Sequence, residues 1–213
     1  MVLTDWSNKI WNVMGDSITD SSNTLATKRY FDYIKDYLGF STIRNYGISG
    51  SCIGTSPLVS NPSPNPMAIR YTSMDPVADL ITVFGGVNDF GRGVQLGKMS
   101  DRTITTFFGA CHVLFSGLIE KYPDKIIAVI SPLQTNGFFS SPNIFGLTEE
   151  VYVNAMEQVS DYYALPFLNL FKSCGIFSLS SAQKNLYQPD GLHLNNAGHE
   201  RISKKIAIFI NSL

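Results

Sequence analysis

The chain is poor in the features that mark several protein classes. Its 213 residues hold three cysteines, Cys52, Cys111 and Cys174, far apart and odd in number. No CxxC pair occurs, so neither a zinc site nor a redox dithiol is expected, and buried thiols are the plain reading. Cys111 has His112 as its neighbour, but adjacent helical residues point in different directions, which makes an activated thiol pair a poor reading. An excess of either charge is missing as well. The 16 Lys and Arg against 17 Asp and Glu leave a net charge of −1. There is no basic stripe for nucleic acid and no acidic tail. No apolar run reaches the length that crosses a bilayer. Residues 1–10 carry Asp5 and Lys9 but no apolar signal core. Two settings stay open: the cytoplasm, or a secreted or excised module without its leader. Internal repeats and low-complexity segments are also absent.

What is present is an alternation of two patterns. Short apolar runs at 10–14, 42–45, 80–84, 125–130 and 166–170 read as strands. The run at 80–84 is almost continuously apolar, as a central parallel strand is. Helical spacing marks 25–38, closed by Gly39, and 103–121, where Ile104, Phe107, Phe108, Cys111, Leu114, Phe115 and Leu118 recur. Two further helices are expected at 148–163, with Thr148 as N-cap, and at 196–210. Strands separated by helices imply parallel pairing through right-handed crossovers. The expected fold is α/β, a three-layer α/β/α doubly wound arrangement on a five-stranded parallel sheet of order 2-1-3-4-5, by analogy with flavodoxin-like sheets. One domain spanning 1–213 is the expected organisation.

Four short motifs then fall at one edge of that sheet. Gly15-Asp16-Ser17 follows strand one. Asn45-Tyr46-Gly47-Ile48-Ser49-Gly50 ends strand two. Gly85-Gly86-Val87-Asn88-Asp89 follows strand three, and Asp190-Gly191-Leu192-His193 precedes the last helix. Ligands of open α/β sheets bind outside the carboxyl ends of the strands, where the first three motifs lie. The fourth is expected on the loop after strand five. A serine hydroxyl needs a base to become a nucleophile, and His193 can supply one to Ser17. Asp190, three residues earlier, can hold the imidazole tautomer. The amides of Ser17 and Gly50 and the side-chain NH2 of Asn88 can receive an oxyanion.

Together these motifs resemble the four signature blocks of the SGNH (GDSL-type) hydrolases, in the family's order and over nearly the whole chain. The resemblance implies Ser17 as nucleophile, Asp190 and His193 as acid and base, and Gly50 and Asn88 as oxyanion donors. It also implies a compact α/β/α fold that needs no metal and no cofactor.

Plainer readings stand beside these. Ser17 could cap a following helix, and Asn88 could merely form a turn. Asp16 reads as a brace of its turn, Asp89 as structural, and Asn45 as an orienter of the glycine loop. His112 and His199 read as packing residues; His199 lacks the i, i+4 spacing of a helical zinc pair. Phe138, Phe139 and Phe145 divide evenly between a substrate wall and loop packing. Met67, Ile69, Arg70 and Tyr71 have no assigned side of the sheet. The segments 47–65 and 134–147 look specific to a subgroup.

The expected activity is hydrolysis of carboxylic esters. The polar loop after Ser49 and the lack of an apolar lid favour short acyl (acetyl) groups on a carbohydrate, so the expected partner is a small-molecule or glycan ester. A lysophospholipase or thioesterase, an acyltransferase, and a glycan-binding module with a vestigial triad are the competing readings.

Overall fold

The computed structural model describes residues 4–55, 65–136 and 141–213. In chain order its elements are β1 (Ile10–Gly15), α1 (Tyr30–Leu38), β2 (Thr42–Gly47), α2 (Met67–Arg70), β3 (Leu80–Phe84), α3 (Val87–Gly91), α4 (Phe107–Lys121), β4 (Ile126–Ile130), α5 (Glu149–Tyr162), β5 (Phe167–Leu168), α6 (Leu170–Ser173), α7 (Ser181–Tyr187) and α8 (Asn196–Asn211). All strands pair in parallel, in the order β2-β1-β3-β4-β5. The expected order and class are those observed.

Side chains alternate across the sheet because the strand period is two. Trp11, Val13, Leu80, Phe84 and Ile130 face one way, onto Tyr30, Phe31 and Ile34 of α1 and Ile202, Ile206 and Ile210 of α8. Met14, Ile81, Val83, Ile127 and Val129 face the other way, onto Phe107, Cys111, Leu114 and Phe115 of α4 and Tyr152 and Met156 of α5. This is the three-layer arrangement. Polar side chains inside the sheet have partners. Asn12 donates to Asp75 O at 2.9 Å and to Tyr122 Oη at 3.2 Å, and Trp11 Nε1 donates to Thr82 Oγ1 at 2.9 Å. All three cysteines are buried.

The helix starts differ from expectation, and side-chain hydrogen bonds explain why. Residues 25–29 are not helical. Asp20 Oδ1 accepts from Ser22 N, and Asn23 Oδ1 accepts from Leu25 N, so local turns take these amides. The Arg29 guanidinium then gathers the carbonyls of Asp20, Ser21, Asn23 and Ala26. Similarly, 103–106 is a turn. Ile104 O accepts from Thr55 N at 2.8 Å, and Thr106 Oγ1 caps α4 by accepting from Gly109 N. Thr148 stands at the N-cap of α5 but makes no side-chain cap bond. The strand expected at 166–170 keeps only two residues, because Asn169 caps α6 by accepting from Lys172 N. Helices α2, α3, α6 and α7 are each one or two turns long and carry no extended periodicity.

The α4 side of the core gives a direct test. Phe115 is fully buried. Phe115→Ala should cost about 3–5 kcal/mol in urea denaturation, while the folded fraction keeps its kcat/KM.

Candidate active site

The parallel topology brings the ends of β1, β2 and β3 to one edge, and the loop before α8 reaches the same place. Ser17 does not cap a helix; it lies in a turn after β1. His193 Nε2 is 2.9 Å from Ser17 Oγ, and His193 Nδ1 is 2.7 Å from Asp190 Oδ2. A carboxylate only accepts, so Nδ1 carries the ring proton and Nε2 is left to accept from the Ser17 hydroxyl. Asp190 Oδ1 also accepts from the backbone N–H groups of Leu192 and His193, at 2.9 and 2.6 Å. Partial burial raises the Asp190 carboxyl, but these hydrogen bonds outweigh it and the net shift is downward. Asp190 therefore stays ionised beside the imidazole.

Ser17, Gly50, Asn88 and His193 line one open cleft of about 570 Å³, together with Ser22, Asn23, Thr24, Ser49, Arg92 and Leu192. Asn88 sits in α3, not in a free turn. Its Nδ2 donates to Ser51 O at 3.1 Å, which leaves a second amide hydrogen for another acceptor. Gly50 adopts φ 75°, in the left-handed region that favours glycine.

The glycine loop is fastened from several directions. Asp20 Oδ2 accepts from Ser49 N at 2.9 Å and from Ser49 Oγ at 2.6 Å. Asp89, fully buried, accepts from Ile53 N at 2.8 Å and Gly54 N at 2.9 Å. Asn45 Oδ1 accepts from Gly47 N, and its Nδ2 donates to Thr19 O and Ser21 Oγ, so it does orient the start of the loop. Asp16 braces its own turn by accepting from Ile18 N at 3.0 Å. Burial lifts Asp16 to about 6, with the Ile18 amide, His193 and Arg70 pulling it back down. Burial lifts Asp89 to about 7.

Three supports have no sequence signature. Arg70 donates to Gly15 O at 2.7 Å, to Tyr46 O and to Ser51 Oγ at 3.4 Å, bridging the ends of β1 and β2 to the glycine loop. Gln188, fully buried, donates to Leu192 O at 3.0 Å and to Gln134 O at 3.4 Å. Asn136 N donates to Gly191 O at 2.7 Å. The Asp190–His193 loop is thus braced by the segment that leaves β4. It does not follow β5 directly, since α6 and α7 intervene.

Among the described residues, none of the remaining candidates lines the open cleft. His199 Nδ1 accepts from Tyr30 N at 3.3 Å, and burial drives its pKa to about 3. His112 lies between Tyr163 Oη and Met99 O at 3.1 and 2.9 Å. Phe145 packs beside Gly93, held by an Asn143 turn. Phe138 and Phe139 lie outside the described residues. Met67 packs under Gly85, Tyr71 lies against Gly117, and Ile69 is exposed. Among the described residues no cluster of His, Cys, Asp and Glu could hold a metal ion, and no helix is long and apolar enough to cross a membrane.

A parallel α/β sheet with a serine, an imidazole and a carboxylate in hydrogen-bonded series at its carboxyl edge is the frame of an acyl hydrolase. The sequence matches the model of the GDSL-like lipase/acylhydrolase family over residues 13–201, and the chain belongs to that family. It is an esterase-type hydrolase. A crystal structure of a protein from Lactobacillus plantarum is 36% identical with a TM-score of 0.88, covering 97% of this chain and 98% of that one. A possible lipase from Chitinophaga pinensis is 20% identical with a TM-score of 0.73, covering 96% and 98%. A variant of an acetyl-xylooligosaccharide esterase from Geobacillus is 19% identical with a TM-score of 0.68, covering 97% and 95%. No curated protein matches the chain in sequence.

One buried carboxyl, Glu149, gives a pH test. Burial raises Glu149 from an ordinary 4.5 to about 8, against the pull of its hydrogen bonds from Thr135. Between those values the folded state holds a proton that the unfolded state has released, so stability falls as pH rises through that window. Glu149→Gln removes this loss. The variant should melt near the wild-type temperature at about pH 5 and several degrees higher at about pH 9. A melting difference that does not change with pH would assign the titration to another group.

Proposed function

We propose that Ser17 is the nucleophile of a two-step ester hydrolysis, with His193 as base and Asp190 as its orienting carboxylate. The observation that carries this is the unbroken series Ser17 Oγ, His193 Nε2, His193 Nδ1, Asp190 Oδ2. Nε2 takes the Ser17 proton as Oγ attacks the ester carbonyl. The carbonyl oxygen becomes an oxyanion, received by the amides of Ser17 and Gly50 and the free amide hydrogen of Asn88. The C–O bond to the alcohol breaks, and the alcohol leaves with the proton from His193. Water then gives a proton to His193 and attacks the acyl-enzyme, releasing the acid and restoring Ser17. Asp190, kept ionised, stabilises the imidazolium in both steps.

The alcohol side of the ester faces the open cleft. Its lining from Ser22, Asn23, Thr24 and Ser49 is rich in hydroxyl and amide groups. Such groups suit a polyhydroxylated alcohol better than an alkyl chain, and the reading is a carbohydrate bearing short acyl (acetyl) groups.

Ser17→Ala should fold like the wild type by circular dichroism and lose at least about a thousandfold in kcat on p-nitrophenyl acetate and on acetylated oligosaccharides. Retained turnover would overturn the assignment. Asn88→Ala should lower kcat about 10²–10³-fold. Rates on acetylated oligosaccharides should exceed those on a lysophospholipid or an acyl-CoA; the reverse order would refute the carbohydrate reading.

A further inference from the structure

Beside the open cleft lies a second, more enclosed hollow. We infer that it is the acyl subsite, and that Val87 and Leu133 set its length limit at acetyl. The inference rests on Ser17 being the nucleophile.

Position is the first argument. The hollow is lined by Ile18, Val87, Pro132, Leu133, Thr135 and Leu192, together with Asp16 and Phe84. Asp16 and Ile18 flank Ser17 in sequence, Val87 precedes Asn88, and Leu192 precedes His193. Residues adjacent to the nucleophile, to an oxyanion donor and to the base therefore share this one wall. Leu192 also lines the open cleft, so the two spaces share that residue as a boundary. An ester carbonyl at Ser17 has an alcohol side and an acyl side. The polar cleft suits the first, and the apolar hollow suits the second.

Size is the second argument. The hollow leaves about 10 Å³ for the centre of a water-sized sphere, which is room for one small group. The methyl of an acetyl group fills it; a further methylene has nowhere to go. The walls do not yield easily. Leu133 is 4% exposed and belongs to the sheet core. Thr135 donates to the buried Glu149 Oε2 at 3.0 Å. Next to it, Asn136 is tied through its backbone to Gly191 and through its side chain to Ser178 O. Val87 is the half-buried first residue of α3, so shortening it opens the hollow without hollowing out the core.

The test is kcat/KM on p-nitrophenyl acetate, propionate and butyrate for the wild type, Val87→Ala, Leu133→Ala and Val87→Leu, with Ser17→Ala as control. A methylene that a pocket cannot seat costs about tenfold or more. The wild type should therefore fall at least tenfold from acetate to propionate. Val87→Ala and Leu133→Ala should each raise the butyrate-to-acetate ratio about tenfold, and Val87→Leu should depress acetate turnover. Should Leu133→Ala fail to fold, Val87→Ala carries the test. A wild type that takes butyrate as readily as acetate overturns the subsite, as does a folded Val87→Ala with an unchanged ratio. Either result with an inactive Ser17→Ala leaves the nucleophile assignment standing; an active Ser17→Ala overturns that assignment and the subsite with it.

Discussion

The contact between Ser17 Oγ and His193 Nε2 joins residues 176 apart in sequence, and much of the structure serves to hold its two ends in register. A hydrogen bond of this kind weakens over a few tenths of an ångström and steeply with angle. Neither end can therefore rest on a free loop. The serine end is set by β1, whose last carbonyl is held by Arg70 and whose next residue, Asp16, closes the turn on the Ile18 amide. The histidine end has no strand beneath it. It relies on Gln188 and Asn136, which tie the 188–193 loop to the segment leaving β4. Gly191 adopts φ 83° there, and a Cβ on it would stand 2.7 Å from that of Asn136, so the closeness that braces the loop also requires glycine.

Fastening the loops in this way needs buried carboxylates, and burial works against their charge. Asp89 and Asp16 are driven up to about 7 and about 6 by the loss of solvent. What each gives in return is geometric. A carboxylate has two acceptor oxygens, and Asp89 uses both on consecutive amides, Ile53 and Gly54, which fixes the downstream end of the glycine loop. An amide or hydroxyl could not offer two acceptors in that way. The strain on stability is thus concentrated next to the chemistry, a common arrangement for a site that must be preformed.

How much of this was legible in the sequence depended on the range of the interaction. The strands were readable because a doubly covered parallel strand is apolar along its whole length, as Leu80–Phe84 is. Ser17 and Asn88 could be placed because topology sends the ends of β1 and β3 to one edge, so a motif at a strand end is already a position in space; His193 reaches that edge on a loop that follows α7 instead. The true starts of α1 and α4 were hidden, since Asn23 and Thr106 decide them by bonding amides a few residues away, against a continuing apolar period. Arg70 was the least legible. Its partner Gly15 is 55 residues away, and nothing local distinguishes a guanidinium bound for two strand-end carbonyls from one bound for solvent.

Two carboxylates stand near the imidazole, and their surroundings give them different work. Asp190 accepts three hydrogen bonds and keeps a lowered pKa despite partial burial, so its charge is available to a protonated His193. Asp16 is fully buried and accepts from Ile18, and its carboxyl is raised to about 6. The ring bonds to Asp190 through Nδ1 at 2.7 Å, whereas Asp16 spends its oxygen on the Ile18 amide. Their different hydrogen-bond partners, a turn amide for one and the imidazole for the other, separate their positions. The aspartate adjacent to the serine thus closes the turn that carries Ser17, and the aspartate three residues before the histidine holds the ring.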